Sequence, residues 1–315
     1  MFHQSNRFPQ GKRYHSFTAL VRARYGGRLQ KVVIDAGFSC PNRDGTLGTE
    51  GCTYCLNASF HPQYSKPSVA LWKQIDEGIL FHRERYARAI GFLAYFQSFS
   101  NTYAPLERLK QLYEEALSHP QVRGLVIGTR PDCVDAQKLD YLAELAHKHL
   151  IFIEYGIESC YDHTLSRIKR GHTFAQAREA VVQSAQRGLQ SGAHFIFGLP
   201  GETKEDMMRA AAIISALPLT SVKFHQLQII KGTQMEQDYL QHASDFVSFS
   251  LEEYIDFFID FLERLNPAIA VERFAGEVPP RFVLHTPWGL IRYADLVKMV
   301  EKRLEERDSW QGKMM

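Results

Sequence analysis

At 315 residues, 45% of them hydrophobic and 23% charged, the chain has the composition of a globular protein with room for one large core, or for a barrel with a terminal extension. No apolar run reaches the length of a membrane span or a signal-peptide core, which excludes a membrane-spanning role on sequence grounds. Five cysteines, an odd number, argue against a secreted disulfide scaffold and for a reducing compartment, so a cytoplasmic location is expected.

The net charge of +2 conceals an asymmetry. Residues 1–31 hold Arg7, Lys12, Arg13, Arg22, Arg24, Arg28 and Lys31 with no Asp or Glu, so the remainder of the chain is net negative. Phe2, Phe8, Tyr14, Phe17 and Tyr25 are interleaved with these cations, a combination suited to holding phosphates and stacking bases. A solvated face of an N-terminal helix accounts for the same residues equally well. An organelle transit peptide is the weaker reading, because HSFTALVRARYGG runs without a processing break into the apolar KVVIDAG segment and its cysteine loop.

KVVIDAG (31–37) reads as a first buried strand, and CPNRDGTLGTEGCTYC comes after it with Cys40, Cys52 and Cys55. The C-x2-C pair can hold a metal between two thiolates, and Cys40 can close on it through a loop rich in Gly, Pro, Asn and Asp. Three thiolates leave one position open. Structural zinc, completed by a residue such as His61, and an iron-sulfur cluster with one iron free of protein ligands both fit the triplet.

Further strands are expected at GFLAYFQ (91–97), GLVIGT (124–129), LIFIEYG (150–156), AHFIFG (193–198) and VKFHQLQII (222–230). Amphipathic helices at 106–119, 136–149, 175–188 and 204–217 alternate with them. Six strand-helix units with near-continuously apolar strands imply a parallel sheet with right-handed crossovers, and a partial (β/α)6 barrel suits the repeat. Ligands then bind at the C-terminal strand ends, where the cysteine loop lies. From about residue 246 the rhythm changes: a strongly amphipathic helix begins at 250, IAVERF (269–274) offers one more strand, and a helical appendage closes the chain. The expected division is a basic segment at 1–30, a barrel at 31–245 and a C-terminal extension at 246–315.

Three more polar motifs fall at strand ends: GTRPDC after the third, EYGIES after the fourth and GLPGE after the fifth. Together with the cysteines, FQSFSNTYAP (96–105), the RGH of 170–172 and the terminal DSWQGK, they resemble the radical S-adenosylmethionine (SAM) superfamily, in the order and spacing of the YhcC/YtqA-type family. The elongator catalytic subunit and oxygen-independent coproporphyrinogen oxidase are more distantly similar. The resemblance covers essentially the whole chain and implies an α/β, TIM-like partial barrel with a C-terminal helical extension.

It also implies that Cys40, Cys52 and Cys55 ligate three irons of a 4Fe-4S cluster whose fourth iron binds SAM, and that reductive cleavage of SAM yields a 5′-deoxyadenosyl radical that abstracts a substrate hydrogen. An electron donor such as flavodoxin or ferredoxin is the implied partner. By motif, Tyr54 lies near the adenine, Glu158 and Arg170 contact SAM with Arg170 on its carboxylate, and Gly198, Gly201 and Glu202 let backbone approach the adenine. Glu154 and Arg130 are expected SAM or substrate contacts at the rim, with Gln97 reaching in from the second strand. His172 fits a proton donor or a packing residue, Cys160 is expected buried, and Cys133 is open between a hydrogen donor and an inert thiol. The x11 first spacing and the absence of a glycine-rich pair after the second strand depart from the commoner pattern.

The resemblance to the elongator subunit, which modifies the wobble uridine of tRNA, and the basic aromatic N-terminus together point to tRNA as substrate and partner. The 315 residues leave no room for that subunit's acetyl-CoA-binding domain, so another carbon source or remodelling of an existing side chain is expected. Hydrogen abstraction from a small metabolite or tetrapyrrole precursor, and a non-catalytic zinc-bound RNA-binding protein, are the alternatives.

Overall fold

The computed structural model describes residues 8–59, 62–84 and 86–315; Phe2, Arg7 and His61 lie outside the described residues. Seven strands form one all-parallel sheet in sequential order: β1 (Arg28–Ile34), β2 (Ala89–Phe96), β3 (Val122–Thr129), β4 (Leu150–Glu158), β5 (Gln190–Phe197), β6 (Ser221–Gln226) and β7 (Ala270–Arg273). Ten α-helices accompany them among the described residues: α1 (Phe17–Tyr25), α2 (Leu71–Arg83), α3 (Leu106–Leu117), α4 (Ala136–Ala146), α5 (Asp162–Arg167), α6 (Phe174–Gln186), α7 (Lys204–Ser215), α8 (Gln234–Gln241), α9 (Leu251–Leu262) and α10 (Tyr293–Glu306). The partial α/β barrel is thus present with a seventh strand, supplied by the segment beyond residue 245.

The local chemistry explains the element boundaries. Thr173, Thr203 and Ser250 open α6, α7 and α9 with reciprocal capping boxes to Gln176, Asp206 and Glu253. The sixth strand ends at Gln226 rather than continuing to residue 230: the Leu227 N–H to Phe197 O bond at 2.8 Å closes its pairing with β5, and Ile230 pairs with Val283 instead. The first strand begins earlier than its apolar run suggests, at Arg28, and ends at Ile34.

β1 and β7 are not paired, and the N-terminal segment spans the opening they leave. Ser16 bridges the outer edge of β7 at Val271, and α1 then carries Phe17 and Val21 into an apolar layer with Leu93, Val126, Phe152 and Ala270. Phe17 packs edge-on against Phe152 at 5.8 Å. At the far end Gln190, the first residue of β5, donates from Nε2 to Tyr25 Oη at 3.0 Å. The helix is therefore a plug across the N-terminal mouth of the barrel.

The terminal DSWQGK motif fixes this plug. Gln311 Oε1 accepts from His15 N–H at 2.9 Å while its Nε2 donates to Asn266 O and Ile269 O at 2.8 and 2.9 Å. Arg13 pairs with Asp308, and Lys12 with Glu301 of α10. Two of the N-terminal cations thus clasp α10 and the turn that follows it.

Candidate active site at the cysteine rim

Because side chains alternate along a strand, one set of each strand faces the barrel interior. Above the apolar layer that receives α1 comes a charged layer of Lys31, Tyr95, Glu154, His194, Lys223 and Glu272. Above that, Gln97, Gly128, Gly156 and Ile196 leave a cavity of about 590 Å³, and all six charged-layer residues line it together with Cys40, Cys52 and Cys55.

The three cysteines are placed by backbone. Arg43 and Asp44 N–H groups donate to Cys40 O, Cys55 N–H donates to Cys52 O, and Thr53 N–H is held by Ile168 O at 3.1 Å. Asn42 is buried and ties the loop to the end of β4's connection, donating from Nδ2 to Lys169 O at 2.8 Å and to Cys52 Sγ at 3.3 Å. Burial raises the Cys55 thiol's pKa, with the Cys52 charge adding to it, and Arg43 and Arg170 oppose this. Among the described residues no three His, Cys, Asp or Glu side chains converge as a single metal ion would require. A cubane cluster places each thiolate on a separate iron, so three thiol groups sharing one cavity wall, with arginines beside them, fit that group.

EYGIES acquires a physical reading. Glu154, Gly156 and Glu158 are inward-facing neighbours on β4, and a Cβ at Gly156 would lie 2.5 Å from Arg170 Nη2. Glycine there lets the Arg170 guanidinium reach across the strand and donate from Nη2 to Gly156 O at 2.6 Å and from Nη1 to Cys52 Sγ at 3.5 Å. Glu158, held at φ +74, approaches Arg170 at 3.6 Å. Such strain is tolerated where the surroundings over-determine it, most often in binding sites. Arg170 is thereby committed to the strand and to a cysteine sulfur.

Arg130 is the better anion receptor. It is 1% exposed and pairs bidentately with Asp132 through Nε and Nη2 at 2.9 and 2.7 Å, and its buried Nη1 has no hydrogen-bond partner among the described residues. Arg130 lines the cavity, and a guanidinium with an unsatisfied N–H suits a carboxylate.

Tyr54 and Gln97 also line the cavity, and burial pushes the Tyr54 hydroxyl well above its ordinary pKa. FQSFSNTYAP is pinned by Asn101, which donates to Phe96 O and Gly128 O, and by Thr102, so that Gln97, Phe99 and Ser100 face inward. Gly198 and Gly201 do not line the cavity. Both hold positive φ, at +87° and +92°. A Cβ on Gly198 would meet Val247 O, and Gly201 N–H donates to Asp245 O, so both serve the turn against residues 245–247. Glu202 is buried and accepts from Ser159 Oγ at 2.5 Å.

Burial and the neighbouring Arg170 push His172 down to about 4, leaving it neutral; its Nδ1–H donates to Thr173 O, and its buried Nε2 is an acceptor with no partner among the described residues. Cys133 and Cys160 are both buried with thiol pKa values raised by desolvation, Cys133 to about 11, and neither lines the cavity.

Glu154 stands not at the rim but midway down the barrel. Its carboxylate accepts from Lys31 at 2.5 Å, Lys223 at 2.6 Å, Tyr95 Oη at 2.8 Å and His194 Nε2 at 3.1 Å. Burial alone would raise its pKa, but Lys223 and Lys31 hold it well below the carboxylate range. Lys31 also bonds Glu272 at 2.5 Å, an ion pair that crosses the unpaired β1–β7 opening. Sequence reading passed over this layer, although alternating Lys223 and His225 within the apolar run of β6 signalled an inward polar face.

The family model for the radical SAM superfamily matches residues 45–214, and that for the radical SAM C-terminal domain matches residues 219–306. The chain belongs to the radical SAM superfamily. Within it, this radical SAM protein is 34% identical over 313 residues to YtqA of Bacillus subtilis, covering 98% of this chain and 96% of that one, and belongs to the same YhcC/YtqA-type family. A tRNA uridine(34) acetyltransferase of Methanocaldococcus infernus is 24% identical over 206 residues, 64% of this chain and 36% of that protein. The structure of Elp3 from the same organism superposes with a TM-score of 0.66 at 16% identity over 90% of this chain and 64% of that one, which shows a shared fold. The cofactors of this radical SAM enzyme are a 4Fe-4S cluster and SAM. No helix among the described residues is long and apolar enough to cross a membrane.

Proposed function

We propose that this radical SAM enzyme acts on tRNA, at the wobble uridine. When bound, cluster and SAM together supply the one-electron chemistry that removes a hydrogen atom from a substrate, with a flavodoxin or ferredoxin as the electron source. Cys40, Cys52 and Cys55 would hold the cluster, Asn42 and Arg170 donating to the Cys52 sulfur. Arg130 Nη1 would take the SAM carboxylate, with Tyr54 and Gln97 on the remaining wall. The observation that carries the enzymatic reading is the three thiol groups and the unpartnered Arg130 donor on one buried cavity.

The tRNA half rests on the relative named as a tRNA uridine(34) acetyltransferase, whose length this chain spans to 36%, and on the cations that remain exposed near the barrel mouth. Arg22 and Arg24 are exposed on α1, whereas Lys12, Arg13 and Lys31 are consumed by internal ion pairs. The test is deoxyadenosine release by the reconstituted enzyme with total tRNA from a deletion strain, alongside mass spectrometry of tRNA nucleosides from that strain and its parent. Release stimulated by tRNA and a nucleoside missing from the deletion strain are expected. Stimulation by small molecules only, with identical nucleosides, refutes the tRNA reading.

A further inference from the structure

The cavity does not end at the cofactor residues. Its lining continues from the cysteines past the charged layer to Arg28, the first residue of β1, and to His82 and Tyr86 beside it. From Arg28 to Ile34, where the strand delivers the chain towards the cysteine loop, is about 20 Å at the strand rise. A lining that extends this far along β1 suits an extended polymer better than a small metabolite, which is held best when enclosed.

The lower end has its own chemistry. The Arg28 guanidinium lies 4.1 Å over the Tyr86 ring, the His82 and Tyr86 rings are 5.5 Å apart, Phe81 meets His82 edge-on at 5.1 Å and Tyr64 packs at 5.8 Å from Phe81. Phe81 is nevertheless 68% exposed, a large ring with one face in water. Arg83 and Arg88 are exposed and have no ion-pair partner among the described residues, and Arg88 precedes Ala89, the register partner of Arg28. Among the described residues Arg28 hydrogen-bonds only the neutral Gln30. Across residues 81–90 the one acid is Glu84.

We infer that this edge is an anchor for single-stranded RNA: Arg28, Arg83 and Arg88 take successive phosphates and an unpaired base stacks on Phe81, leaving the rest of the RNA to reach the cysteine rim. Aromatic rings with guanidinium groups in excess over a single acid, Glu84, form an arrangement that holds unpaired bases and backbone together. An acidic electron-donor protein is the poorer fit, because it must dock beside the cluster, and this patch lies at the opposite end of the strands. The inference deepens the tRNA reading and rests on it.

The test measures binding of reconstituted holoenzyme to bulk tRNA and to a blunt RNA duplex across a salt series, for the wild type, the Arg83→Gln/Arg88→Gln double variant and Phe81→Ala. All three substituted side chains are exposed or unpaired, and thermal melting checks that each variant is folded. The double variant is expected to flatten the log Kd against log salt slope for tRNA by about 1.4, two phosphate contacts at ~0.7 each. Phe81→Ala is expected to weaken tRNA binding about tenfold, one stacked base, and to leave duplex binding unchanged. Unaltered slope and affinity in folded variants, equal weakening for duplex and tRNA, or loss of flavodoxin-driven reduction with RNA binding intact each overturn the anchor. A wild type without salt-dependent tRNA affinity defeats the tRNA reading itself.

Discussion

Glu154→Gln isolates the charged layer from the cofactor rim. The substitution keeps shape and removes one charge from a buried site in which two lysines approach the carboxylate at 2.5 and 2.6 Å. Lys31 retains Glu272 at 2.5 Å, but the nearest remaining carboxylate to Lys223 is Glu272 at 3.4 Å. Lys223 is therefore the group left exposed to burial without compensation. Breaking a buried pair by removing one partner costs about 3–5 kcal/mol. At roughly 2–3 °C per kcal/mol for a domain of this size, the melting temperature should fall by about 6–15 °C.

The pH dependence gives a second readout with a defined sign. Burial already lowers the Lys223 pKa below its ordinary value, with Glu154 and Glu272 opposing, and loss of Glu154 lowers it further. A lysine with a depressed folded pKa binds fewer protons folded than unfolded, so stability rises with pH through that folded pKa. The variant should thus recover melting temperature relative to wild type as pH rises from 7 towards 10, and Glu154→Gln/Lys223→Met should be more stable than Glu154→Gln alone. Differential scanning calorimetry on the anaerobic holoprotein measures both. A variant that melts with wild type at pH 7 and tracks it to pH 10 would refute the network as a source of stability.

Replacing Cys40, Cys52 or Cys55 by Ala should abolish the visible iron-sulfur absorption after reconstitution while the melting of the apoprotein stays near wild type, whereas Cys133→Ala should keep the chromophore. Arg130→Met should raise the Kd for SAM roughly thirtyfold, about 2 kcal/mol for a charged hydrogen bond, measured by calorimetric titration; Asp132→Asn serves as the control for the broken pair. Gln311→Ala removes one acceptor and two donations that hold the N-terminal plug. At about 1 kcal/mol each, the melting temperature should drop by roughly 5–10 °C, and hydrogen exchange should quicken first in α1 and β7.

Legibility in the sequence depends on how each feature is encoded. The cysteine triplet, the β/α alternation and the rim motifs are local patterns whose spacing carries their meaning, and the structure places Cys40, Cys52, Cys55, Tyr54, Gln97, Arg130, Glu158 and Arg170 around one cavity. The charged layer was illegible because its members come from β1, β2, β4, β5, β6 and β7, one inward residue each, and only barrel closure brings them together. The partners of the N-terminal cations were hidden for a related reason. Composition sees Lys12, Arg13 and Lys31 as one basic segment, but their acidic partners lie at 301, 308, 154 and 272.

A barrel with an unpaired opening holds its shape through contacts between segments far apart in sequence. β1 and β7 exchange no backbone hydrogen bonds, and three devices span the break: α1 buried beneath it, the Lys31–Glu272 ion pair across it, and the Gln311 clasp that fixes where α1 begins. Each draws on sequence far from the others, so the N-terminus, the first strand and the C-terminal motif form one structural unit. Such an opening stays unzipped without unfolding because these links hold its two sides. Ionic and side-chain links can do this where a β1–β7 ladder would seal the groove, which gives DSWQGK an architectural rather than a chemical role.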